Sequence, residues 1–169
     1  MSITNYEEVS IYPLDDETRE RLLHTQNECT FIWSTRDGWP VGVVMSYVWR
    51  DGRVWLTASA QRKRIPAVRR DGRVSVVVTS TGSKMAAGRT VTIKGRCIVH
   101  EDEETKAWYY PVLAAALIPG NAAQAAGFAK MLDSPRRVVL EVVPEKFITF
   151  DGARMAADSM GGLGRPAME

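Results

Sequence analysis

The sequence predicts a mainly β protein with short helices, and three features predict it. Six runs are rich in β-branched and aromatic residues, Asp-Gly turns separate the early ones, and a single alanine-rich stretch interrupts the series. Such a series points to a β-barrel or sandwich and argues against the alternating βαβ order of a doubly wound dinucleotide-binding sheet. The 169 residues, 45 % of them hydrophobic and 25 % charged, suffice for one domain with a sizeable core.

Leu14, Leu22 and Leu23 recur at helical spacing after Asp15 and Asp16, either of which can cap the start, so a short N-terminal helix comes first. "TFIWST", "VGVVMSYVW" and "RVWLTASA" then read as three antiparallel strands joined at "RDGWP" and "RDG". "RVSVVVTS" is the fourth strand, and the alternation within "RTVTIKGRCIVH" marks a half-exposed fifth. From Asp102 to Leu132 the pattern turns helical, with Pro111 and "IPGN" dividing it into about two helices. "RRVVLEVVPEKFITFDG" is the sixth strand, with Pro144 at a bend or edge. Residues 1–152 are expected to form one domain, and residues 153–169, ending in "SMGGLGRPAME", a flexible tail.

Several chemistries are set aside at this level. Cys29 and Cys97 lie far apart in apolar runs, as buried thiols of a reducing compartment would. His24 and His100 have no partners at ligand spacing, so no metal site is expected. "TGSK" at 81–84 lacks the first glycine of a phosphate loop, and "GGLG" at 161–164 falls in the tail. "EDEE" at 101–104 suits the start of the helix that follows it. With no run long enough to span a membrane and no leader-like start, a cytoplasmic protein without membrane contact is expected.

The stretch "TASAQRKRIPAVRRDGRV", residues 57–74, concentrates Arg62, Lys63, Arg64, Arg69, Arg70 and Arg73 in a chain of net charge +2. Pro66 favours a helix starting near Ile65, which leaves Arg62, Lys63 and Arg64 at its N-terminal end. Cationic side chains there, with the Thr57 and Ser59 hydroxyls as further donors, make a candidate phosphate site. Arg69, Arg70 and Arg73, beyond the helix start, read as solvated surface. The near-neutral total charge argues against a nucleic-acid partner.

These residues carry a resemblance. "VGVVMSYVWRDGRVWLTAS" running into "QRKRIPAVRRDGRVSVVV" is similar to the pyridoxamine 5′-phosphate oxidase-like FMN-binding split-barrel family, especially its flavin- and deazaflavin-dependent oxidoreductase branch, over roughly residues 15–152. The resemblance implies a homodimeric, six-stranded antiparallel split β-barrel. It assigns the phosphate grip to two of Arg62, Lys63 and Arg64 beside Thr57 and Ser59. It also sets Val44 and Ser46, with Val43 and Met45, along the cofactor ring and Thr90 near it. The Arg and His pattern with which pyridoxamine phosphate oxidases hold substrate is not visible in "FITFDGARMAADSMGG", which speaks against vitamin B6 chemistry.

The implied activity is hydride transfer between coenzyme F-420 or FMN and a small unsaturated substrate, the cofactor carrying the chemistry. No catalytic residue is assigned, although the Tyr47 phenol is a conceivable proton donor. Surplus positive charge at Arg64, Lys84 and Arg89 would suit the polyglutamate tail of F-420 and favours it over FMN. The alternative is a non-catalytic flavin- or haem-binding carrier or sensor of the same fold.

Overall fold

A computed structural model describes residues 8–159. After a 3₁₀ turn at Val9–Ile11 come α1 (Asp16–Thr25), β1 (Glu28–Ser34), β2 (Pro40–Ser46), β3 (Val48–Arg50), β4 (Arg53–Ser59), α2 (Arg64–Arg70), β5 (Arg73–Thr79), β6 (Arg89–His100), α3 (Glu103–Leu117), α4 (Ala122–Leu132), β7 (Arg137–Asp151) and α5 (Gly152–Ser159). The strands form one antiparallel sheet in the order β2-β1-β5-β6-β7-β4-β3.

The sheet has seven strands rather than the expected six, because the run 41–49 breaks at Tyr47. The Tyr47 N–H donates to the Asn27 carbonyl (3.0 Å) and its hydroxyl to the Leu23 carbonyl (2.8 Å), holding it in the corner between α1 and β1. Residues before it pair with β1 and residues after it with β4. At the β3–β4 turn, Asp51 and Gly52 have φ of 53° and 71°, the two left-handed residues of a tight hairpin turn.

The two long strands make the sheet curl. The first part of β6 pairs with β5, and its far end with the first part of β7, which in turn pairs with β4. A register shift between Lys94 and Gly95, opposite Pro144, leaves Glu145 unpaired and bends β7 where its proline predicts a bend. A Cβ on Gly95 would meet the Val143 carbonyl oxygen, so the crossing needs glycine. β3 pairs only with Arg53–Trp55, so the remainder of β4 faces the free edge of β2 across a split.

Phe31, Tyr47, Leu56, Val76, Ile93 and Leu140 fill the interior. A second cluster of Tyr109, Tyr110, Leu113, Leu132 and Val139 lies where α3 and α4 cover the outer face of β4 and β7. Val138–Val142 is therefore buried on both faces, which explains its unbroken apolar run around Glu141. Glu141 is neutralised where it sits: Arg53 meets one carboxylate oxygen and His100 Nε2 the other at 2.6 Å. Asp15 caps α1 and Asp102 caps α3, accepting from the N–H groups of Thr18 and Thr105.

Pro111 does not divide the helical region. It lies inside α3, and the break comes at Ile118–Asn121. Residues 153–159, read as the beginning of a tail, belong to α5; residues 160–169 lie outside the described part. Among the described residues no helix is long and apolar enough to cross a membrane.

Candidate cofactor site

Alternation along β4 turns Val54, Leu56 and Ala58 inward and leaves Trp55, Thr57 and Ser59 half-buried on the outer face. The chain leaves β4 through Ala60 and Gln61 into α2, which begins at Arg64 and buries Ile65, Ala67 and Val68. Arg62 and Lys63 are exposed in this loop, as its sequence predicts. The N–H groups of Arg62 and Ile65 already bond to the carbonyls of Ser59 and Arg62, so binding capacity rests on side chains more than on the helix end.

Charge balance separates the basic residues. Arg69 pairs with Glu101 at 2.7 Å, Arg73 with Asp71 at 2.7 Å, and Arg70 donates to the Ser34 carbonyl at 2.9 Å. Hydrogen bonds from Arg73 hold the Asp71 carboxyl well below its usual range. Arg62, Lys63 and Arg64 have no carboxylate partner among the described residues. Arg64 is half-buried, its Nε lacks a hydrogen-bond partner, and burial with repulsion from Arg62 lowers its pKa. A half-buried guanidinium with an unmet donor is a poor resting arrangement unless an anion completes it.

The structure adds two cations that sequence reading missed. Ser59 pairs with Arg137 across β4 and β7, and the Ala60 N–H donates to the Arg136 carbonyl at 2.7 Å. Neither arginine has a carboxylate partner among the described residues, and Arg137 Nε is buried without a hydrogen-bond partner. The doubled arginine opening the sixth predicted strand was the available signal; only the β4–β7 register brings it to the basic loop.

Thr57 differs from expectation. Its hydroxyl donates to the Val138 carbonyl at 2.8 Å and is not a free donor, because the strand partner has taken its proton. Ser59 Oγ accepts from the Gln61 N–H at 3.4 Å, leaving its own proton available. Tyr47 is also corrected as a proton donor: it is buried, bonded to Leu23, and desolvation drives its pKa far up.

Val44 and Ser46 lie on the outer face of β2. Val44, 64 % exposed, opens a cross-strand row that continues through Thr30, Val77 and Thr92 to Ile148, which is 51 % exposed. Thr90 belongs to the adjacent row with Thr79 and Phe150. Within one chain Thr90 is separated from α2 by the length of β5, roughly 20 Å for a strand of this size. Lys84 and Arg89 are at that distant end too, lining a cleft with Arg21, and Arg89 is paired with Asp151 at 3.3 Å. One chain therefore gathers Thr57, Ser59 and Arg62–Arg64 but leaves Thr90, Lys84 and Arg89 apart from them.

A curled antiparallel sheet with a split beside β4, and a cationic loop where β4 ends, defines a split-barrel protein with a positively charged end. The chain belongs to the pyridoxamine 5′-phosphate oxidase family, whose model matches residues 14–151. No curated protein sequence matches it. Among solved structures, a conserved hypothetical protein from Mycobacterium tuberculosis is similar with TM-score 0.75 and 18 % identity over 94 % of each chain. A FAD-binding protein from Mesorhizobium loti gives 0.60 and 19 %, covering 80 % of this chain and 94 % of that one. A protein described as an F-420 reductase gives 0.60 and 19 %, covering 76 % and 94 %. At these identities the likeness is one of fold.

Proposed function

We propose that the protein is an oxidoreductase that binds coenzyme F-420 or FMN by its phosphate and passes a hydride between that cofactor and a small unsaturated organic substrate. The observation that carries this reading is the cluster of unpaired cations at the end of β4, in contrast to Arg69, Arg70 and Arg73, which are all satisfied. Arg62 and Lys63 would grip the phosphate, Arg64 would supply its unmet Nε from behind, and Ser59 would add a hydroxyl donor. Arg136 and Arg137 enlarge the positive field at the same end, which favours the more anionic F-420 over FMN. When bound, the cofactor supplies the hydride chemistry, so the chain needs no acid–base pair of its own. The descriptions of two fold relatives, an F-420 reductase and a FAD-binding protein, agree with this class of ligand.

A homodimer is part of the proposal. The row from Val44 to Ile148 is an uncharged row with two large apolar side chains in solvent, and a second copy would cover it. A site shared across that face would give Thr90 a role that its distance from the basic loop denies it in one chain.

Fluorescence titration of the purified protein with FMN and, separately, with F-420 tests the reading. Micromolar or tighter binding of one of them, followed by oxidation of the reduced cofactor when an unsaturated acceptor is added, is expected. Binding of neither would overturn the proposal, and tight binding without turnover would leave a carrier.

A further inference from the structure

Pro111 breaks a local rule. A proline inside a 15-residue helix has no N–H to give to the carbonyl four residues earlier, here Ala107, and its ring crowds that turn. The helix nevertheless continues to Leu117. Rules broken in this way tend to mark places where the freed group has a use.

Ala107 and Pro111 both line a cleft of about 270 Å³ between α3 and α4, with Lys106, Tyr110, Ala129, Lys130 and Asp133. The volume is below that of drug-sized pockets and suits a small metabolite. Its polar groups have both signs. Lys130 and Asp133 have no ion-pair partner among the described residues, whereas Lys106, its stem buried, is held by Glu103 at 2.8 Å. Tyr110 contributes a ring wall, its solvent-shielded hydroxyl lying against Thr57 of β4. The Ala107 carbonyl, released by Pro111, is a further acceptor, and Ala107, Pro111 and Ala129 give apolar wall.

A simple anion in this cleft would face the Asp133 carboxylate, and a simple cation would face Lys106 and Lys130. A zwitterion satisfies both sets. We infer that the α3–α4 cleft is a binding site for a free α-amino acid with an apolar side chain. Its carboxylate is taken by Lys130, its ammonium by Asp133 and the Ala107 carbonyl, and its side chain lies on the alanine and proline wall.

The test is calorimetric titration of the full chain, without cofactor, using L-leucine, isovalerate and isopentylamine as probes. L-Leucine is expected to bind saturably, and the two analogues, each missing one charge, about tenfold more weakly or worse. Lys130→Met and Asp133→Asn, both at exposed positions, should each weaken L-leucine by about tenfold while leaving the melting temperature and cofactor affinity unchanged. Pro111→Ala should raise the melting temperature and weaken L-leucine, because it returns a donor to the Ala107 carbonyl. No saturation by roughly 10 mM, equal binding of isovalerate, or unaltered L-leucine binding in both charge variants would overturn the inference. Because cofactor titration of the same variants is a separate readout, failure here leaves the proposed redox function standing.

Discussion

The Tyr47 hydroxyl donates to the Leu23 carbonyl across 2.8 Å, tying the last turns of α1 to the point where one predicted strand becomes two. Both residues are almost fully buried, so no water can replace the bond. Tyr47→Phe should therefore cost about 1–3 kcal/mol through the stranded carbonyl. Urea unfolding checks the loss, and cofactor affinity, measured alongside, should not change.

Arg62→Ala with Lys63→Ala should weaken the cofactor by roughly 1.5–3 kcal/mol for each lost charge-assisted bond. Arg70→Ala and Arg73→Ala should leave affinity unchanged, because those guanidinium groups are spent on Ser34 and Asp71. A loss from Arg70→Ala and Arg73→Ala as large as that from the Arg62 and Lys63 pair would show that the basic stretch acts only as a diffuse field.

Burial pushes the thiols of Cys29 and Cys97 up from 9.0 to about 12. In the unfolded chain they release protons at the lower value, so between these limits the unfolded state binds fewer protons and stability falls as pH rises. The contribution is complete below about 9 and is lost progressively toward about 12. The urea midpoint should be lower at about pH 10 than at about pH 8, and replacing both cysteines by alanine should flatten that difference.

Gly95→Ala and Gly127→Ala should have opposite signs. A Cβ on Gly95 collides with the Val143 backbone at the β6–β7 register shift, costing about 1–3 kcal/mol or more. Gly127 lies in α4 with open space around it, where alanine should stabilise by roughly 0.5–1 kcal/mol. Thermal melts of the two variants decide.

Ile148→Glu places a charge at one end of the row proposed to be shared by two copies. Sedimentation should show a dimer for the parent chain and monomer for the variant, while Val112→Glu, on exposed α3, should leave assembly intact. A monomeric parent that binds cofactor with full affinity would refute the shared face.

What local pattern specifies, the sequence determined by itself: the strand runs, the Asp-Gly turn at Asp51 and Gly52, the acidic cap before α1, the bend at Pro144, and the cationic loop before Ile65. Each depends on neighbours a few residues apart, within reach of hydrophobic alternation, turn geometry and proline chemistry. Tertiary structure decided the rest. Whether Tyr47 continues a strand depends on Leu23 and Asn27, whether Thr57 keeps a free proton depends on Val138, and the arrival of Arg136 and Arg137 beside Ser59 depends on register. Pro111 stays within α3 because α4 and the sheet hold the helix on both sides of it, a packing contribution that no local propensity contains.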